Sequence, residues 1–257
     1  MPTSQKSKSV EWIFFDIGDT LVNEDKLRFN LYRILEKNLR ENKLSLTFTD
    51  LMASREDLIM GHADESPHYT LAKMYLPEGL YHQWHHDIKN YIHRHLKRDL
   101  ILIPGMDRVI KKLSRSYSLG IIADQPHEIL DFLKKNDILH YFKVHAISSL
   151  IGVNKPVKTI FEWAINHAGC SFENALMIGD RIDRDIFPAK ELDMATIQVR
   201  WNTYRKGFEP SNKKQELYLN SLHRLKNWQI EPATRSETPD AVVERVSRLP
   251  EAIESLN

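Results

Sequence analysis

Residues 10–21 read VEWIFFDIGDTL. An apolar and aromatic run, Val10–Phe15, stops abruptly at a carboxylate, Asp16, and gives way to the polar turn Ile17-Gly18-Asp19-Thr20. A short apolar run bounded by polar turn residues is what a strand buried on both faces of a parallel sheet produces. Five more runs of this kind follow: Ser118–Ala123, Val144–Ser148, Ala175–Ile178, Thr196–Val199 and Ala241–Val243. Helical patterns separate them, at Met106–Ser116, His127–Lys135, Lys158–His167 and Asp185–Leu192. Alternating strand and helix predicts βαβ units and an α/β fold, a doubly wound parallel sheet.

One block breaks the alternation. From Val22 to Leu100 the pattern is helical only. Leu27, Leu31, Leu35 and Leu39 recur every fourth residue, and Leu51–Met60 and Gly79–Leu96 are further helices, with the turn-like Glu65-Ser66-Pro67 between them. This predicts an inserted all-helical cap domain over 22–100, with 1–21 and 101–257 forming the α/β core. A second irregular stretch, 201–238, reads as an insertion within the core, with a helix at Lys213–Lys226.

Bulk properties narrow the function. Of 257 residues, 36 are basic and 35 acidic, so no global charge favours nucleic acid or a membrane surface. The single cysteine, Cys170, excludes an internal disulfide and a multi-cysteine metal site and fits a reducing compartment. The apolar runs are too short to span a bilayer, and the polar start MPTSQKSKSV has no signal-peptide pattern. A cytoplasmic protein is expected; the sequence does not specify its oligomeric state.

In an open parallel sheet, ligands bind beyond the carboxyl ends of the strands. Polar residues stand there: Asp16 after the first strand, Ala123-Asp124 at the end of the second, and Gly179-Asp180 after the fourth, followed by Asp183 and Asp185. Lys155 lies in the loop Gly152–Pro156. Singly, such residues are ordinary caps, turn formers and solvated charges. Jointly, two strand-end carboxylates, Asp16 and Asp180, that share a hard cation near a lysine suit phosphoryl transfer, with Asp16 as the attacking group.

Four segments in order carry a family resemblance: FFDIGDTL (14–21), GIIADQ (120–125), GVNKP (152–156) and ALMIGDRIDRDIFPAK (175–190). Together they resemble the haloacid dehalogenase (HAD) superfamily, and the helical insert resembles its C1 type of cap. The resemblance implies that Asp16 is nucleophile and metal ligand, that the Gly18 carbonyl, Asp180 and Asp185 (in preference to Asp183) complete an Mg²⁺ site, and that Lys155 holds Asp16 and the phosphoryl group. Ala123 and Asp124 fall at the phosphate-binding position.

Two departures stand out. Gly18 replaces the family's second aspartate, the general acid–base, whose loss ordinarily costs roughly 10²–10⁴ in rate. Asp19 lies one residue too far along for its side chain to take the same direction. Ala123 replaces a hydroxyl residue and forgoes a hydrogen bond to charge of about 1.5–3 kcal/mol, although the Asp124 N–H remains. The expected activity is phosphomonoester hydrolysis of a small phosphorylated metabolite. The competing readings are a binding or regulatory protein with little turnover and a metal-independent 2-haloacid dehalogenase. The insert's histidines, His62, His68, His82, His85, His86, His93 and His95, include one pair, His82 and His86, at a spacing that can bind metal; an exposed polar face is the simpler reading. Tyr81 and Trp84 read as core packing.

Overall fold

The computed structural model describes residues 9–61, 66–201, 208–224 and 234–256. The chain divides into two compact units. The first comprises Met1–Asn23, Ile101–Lys206 and Ile230–Asn257; the second, Glu24–Leu100 and Gly207–Gln229.

In the order of the chain, the elements are β1 (Trp12–Phe15), β2 (Val22–Asn23), α1 (Asp25–Glu41), α2 (Phe48–Met60), α3 (Pro67–Tyr75), α4 (Glu78–Asp99), β3 (Ile101–Leu102), α5 (Met106–Leu113), β4 (Ser118–Ala123), α6 (Ile129–Lys135), β5 (Phe142–Ile147), α7 (Ser148–Ile151), α8 (Lys158–Ala168), β6 (Ala175–Gly179), α9 (Phe187–Lys190), β7 (Ala195–Val199), α10 (Lys213–Arg224), β8 (Ala241–Val243) and α11 (Leu249–Glu254).

The first unit is the expected α/β sheet, six strands in the order β5-β4-β1-β6-β7-β8, all parallel. The chain fills one side of β1 with β4 and β5, then crosses to the other side with β6, so β1 sits at the switch in strand order where such sheets bind ligands. Helix α8 covers one face: Ile160, Phe161, Ala164 and Ile165 cluster with Phe14, Ile122 and Met177 of the sheet. Gly120 lies opposite Phe14 in the β1–β4 register, and a Cβ on Gly120 would fall 2.5 Å from the Phe14 ring. The missing side chain thus lets the aromatic ring lie over the neighbouring strand.

The second unit is helical. The leucine stripe of α1 is buried, with Leu35 and Leu39 fully so, as an amphipathic helix requires. Thr47 and Asp50 form a reciprocal capping box that starts α2. Pro67, read from sequence as part of a turn, is instead the first residue of α3; its fixed φ and missing N–H suit that position.

Three sequence expectations need correction. Val22–Asn23 are not helical: they pair antiparallel with Ile101–Leu102. Asp185–Leu192 is not one regular helix but a π turn, Ile182–Ile186, followed by the short α9. The stretch 201–238, assigned to the core, contributes α10 to the helical unit. Buried Arg55 of α2 donates to Ser221 Oγ at 2.9 Å and lies over the Tyr218 ring at 5.5 Å. Lys214 reaches Glu36, and Arg224 forms a two-point pair with Glu56. No helix among the described residues is long and apolar enough to cross a membrane.

Candidate active site

Strand register brings the acidic residues to one edge. Phe15, Ile121 and Ile178 stand level in adjacent strands, so Asp16, Asp124 and Asp180 all follow at the carboxyl end of the sheet. The Asp16 N–H donates to the Ile178 carbonyl at 2.9 Å, which extends the β1–β6 pairing up to the reactive position. After Asp16 the chain folds back tightly. The N–H groups of Leu21 and Val22 donate to the Ile17 carbonyl, and that of Asp19 donates to the Val22 carbonyl at 2.8 Å. Asp19 adopts a left-handed φ of 52° to allow this, a conformation that aspartate tolerates better than most residues. The indole N–H of buried Trp201 holds the Thr20 carbonyl at 2.9 Å.

Lys155 is at the centre. Its side chain is 3% exposed, and its Nζ donates to Asp16 Oδ1 at 2.6 Å and to Asp185 Oδ1 at 2.5 Å. Asp185 Oδ2 accepts the Arg181 N–H at 3.0 Å. Asp180 completes the set: one ligand atom from each of Asp16, Asp180 and Asp185 lies within 4.8 Å of the others. The buried Gln198 amide donates to the Asp180 carbonyl at 3.0 Å and fixes the turn there. Asp183 is engaged elsewhere, in a two-point pair with Arg181 at 2.9 and 2.5 Å.

Electrostatics follow from crowding. Burial pushes the Asp16 carboxyl up to about 7, against the pull of the Lys155 ammonium and aided by the charge of Asp185. Burial also raises Asp180 well above the usual carboxylate range, reinforced by Asp19, Asp185 and Asp16, with Arg181 opposing. Burial works against the Lys155 charge, but Asp16, Asp185 and Asp124 outweigh it and hold the ammonium more firmly than usual. One lysine is shared among several carboxylates, so the cation gains from all of them while each anion still feels the others.

Sequence reasoning thus named residues that do converge: Asp16, Lys155, Asp180 and Asp185, with Gly18 in the turn after Asp16. Ala123 ends β4 with a methyl group only. Asp19, given little weight because of its direction, nonetheless bears on Asp180 through its charge; the left-handed turn sets its course. Residues not foreseen are Arg184, which donates to the Lys155 carbonyl at 2.8 Å, and Gly179, whose lack of a side chain admits Asp185. In the helical unit, His62 lies outside the described residues. His68 is buried against Tyr32, and burial, with the charges of Arg28 and Arg55, pushes it down to about 3, so it is neutral. His82 and His86 are exposed and join no set of three metal-binding groups among the described residues. Trp84 is fully buried.

The chain belongs to the haloacid dehalogenase-like hydrolases: that family matches residues 13–199, a span that contains the whole cluster. Glyceraldehyde 3-phosphate phosphatase of Pyrococcus abyssi is 30% identical over 197 residues, covering 75% of this chain and 82% of the relative. Pyrimidine 5'-nucleotidase YjjG of Escherichia coli is 23% identical over 227 residues, covering 84% and 96%. The crystal structure of a HAD phosphatase from Thermococcus onnurineus shares the fold with a TM-score of 0.61 at 19% identity, covering 94% of this chain and 97% of that one.

Proposed function

We propose that this protein is a Mg²⁺-dependent phosphomonoester phosphatase acting on a small phosphorylated metabolite through a phospho-aspartate at Asp16. The observation that carries this reading is the buried set Asp16–Lys155–Asp185 with Asp180 alongside. The names of the relatives above, a triose phosphate phosphatase and a nucleotidase, support the substrate class.

The donor set fits Mg²⁺. It is all oxygen and rich in carboxylate, which selects a hard cation. Both oxygens of Asp185 already accept hydrogen bonds. Asp16 and Asp180, with the Gly18 carbonyl that the family resemblance implies, would therefore hold the ion directly in this reading, and Asp185 would support them. Bound there, the ion would offset phosphoryl charge.

The chain's own residues do the rest. A carboxylate oxygen of Asp16 forms a bond to phosphorus as the ester P–O bond breaks. Lys155 holds Asp16 in line and balances the charge of the phosphoryl oxygens, and water then cleaves the acyl phosphate. Gly18 supplies no acid, so the proton for the leaving oxygen comes from Asp19 or solvent.

The test is phosphate release from a panel that includes glyceraldehyde 3-phosphate, sugar phosphates and pyrimidine nucleoside monophosphates, with Mg²⁺ or with excess EDTA. Release with Mg²⁺ and none with EDTA is expected. No release from any member would overturn the reading in favour of a binding role. Chloride release from a 2-haloacid in EDTA would overturn it in favour of dehalogenation.

A pH signature accompanies this. The folded-state Asp16 carboxyl sits near 7, above its ordinary 3.8. Its contribution to stability is therefore fully present below about pH 4 and is lost as pH rises through 7. An Mg²⁺ ion held by the ionised carboxylates would restore what was lost. The rise in Tm on adding MgCl₂ is expected to be larger at pH 8 than at pH 5.5, with KCl at matched ionic strength as control. Equal shifts at both pH values would contradict the assignment.

A further inference from the structure

Asp124 stands where the resemblance places phosphate binding, yet a carboxylate facing a phosphoryl group would be repelled by it. Its contacts point to other work. Oδ1 accepts the Lys155 N–H at 2.9 Å, and Oδ2 is 3.4 Å from Arg184 Nη1. The same Nη1 donates to the Lys155 carbonyl at 2.8 Å. The Lys155 residue is thus gripped through both its N–H and its C=O by two side chains of opposite charge that also face each other. The three partners come from separate segments: the end of β4, the loop after α7 and the turn after β6.

We propose that Asp124 and Arg184 form a clamp that positions Lys155, setting where its ammonium falls between Asp16 and Asp185. Both side chains are about one-quarter exposed, at 26% and 25%. Water screens such a pair, and its worth as a stabilising ion pair is small. Its value lies in geometry: a side chain as long as lysine delivers its charge to a fixed point only if its backbone origin is fixed. Asp124 and Arg184 are positioning residues; neither is assigned contact with substrate. For rate effects, the inference rests on the phosphatase reading; for the state of Lys155, it does not.

The test is therefore made first without substrate or Mg²⁺. Lysines of the intact protein are labelled with an amine-reactive succinimidyl ester, and the rate at Lys155 is read by peptide mass spectrometry. Arg184→Met and Asp124→Ala are each expected to raise Lys155 labelling on the order of 10-fold, as loss of a supporting contact typically does to a site's function. The double variant should show no more than either single, because the two act as one unit. Arg184→Lys and Asp124→Asn, which preserve the substituted side chain's own bond and so leave both bonds to the Lys155 backbone in place, should stay near wild type in labelling and serve if the harsher variants fail to fold. On a phosphate ester that the wild type hydrolyses, Arg184→Met should lower kcat about 10-fold with KM little changed, and Arg184→Lys should recover part of the loss. Unchanged Lys155 labelling in a folded Arg184→Met protein, or independent multiplying effects in the double variant, would overturn the clamp. Failure of the wild type to release phosphate would overturn only the phosphatase reading.

Discussion

Asp16→Asn is expected to lower phosphate release by on the order of 10⁴-fold or more, the scale seen when a nucleophile is removed from a working catalytic unit. The substitution is nearly isosteric. Its amide oxygen can still accept from Lys155, and Lys155 keeps its 2.5 Å contact with Asp185, so the local structure should persist. What disappears is the group that bonds to phosphorus. Stability should move the other way. The wild-type carboxyl is held near 7 chiefly by burial, so ionising it at pH 8 costs stability that a neutral amide does not. Without Mg²⁺, the variant should melt at or above the wild-type temperature at pH 8, and added Mg²⁺ should raise its Tm less. Single-turnover phosphate release and thermal melts read both effects. Activity within 10-fold of wild type would remove Asp16 from the nucleophile's role.

Gly179→Ala is the second large effect, and it needs no change in any charged group. A Cβ at this position would fall 2.3 Å from both Cγ and Oδ2 of Asp185. No relaxed structure tolerates that approach. Asp185 is 1% exposed and bonded to both Lys155 and the Arg181 N–H, so it cannot yield without releasing them. Overpacking of a closed interior costs about 1–3 kcal/mol, visible in urea denaturation. Activity should fall further than stability implies, about 10²-fold, because displacement of a carboxylate by an ångström disturbs the lysine and the metal donors together. Wild-type kcat/KM in this variant would show that Asp185 does not matter to the site.

Much of the core was legible because its signals are local. Six short apolar runs, each ending in a turn, mark a sheet buried on both faces, and residues at their ends must share an edge. The convergence of Asp16 and Asp180 follows from that edge, whereas Lys155, in the loop after α7, was assigned to the site by the family resemblance. What was hidden depends on contacts distant in sequence. Two-residue strands such as Val22–Asn23 carry no periodicity. Pro67 serves a turn and a first helical turn equally well, and only the chain that follows decides between them. The allegiance of α10 rests on Arg55 meeting Ser221, 166 positions apart, which no local pattern records. Arg184, placed between two aspartates, reads as a solvated charge until its carbonyl partner is seen.

That allegiance of α10 has a consequence for synthesis. Helices α1 to α4 leave the ribosome early, yet the side chains that close over Arg55 and Tyr32 belong to Tyr218 and Ser221. No nascent chain that ends before those residues holds all the parts of the helical unit. By the time they emerge, β1, β4, β5, β6 and β7 have already been made. The insertion begins early and is finished nearly last, so in its earlier stages its buried-type arginine has the Tyr32 ring beside it but neither the Tyr218 ring nor the Ser221 hydroxyl.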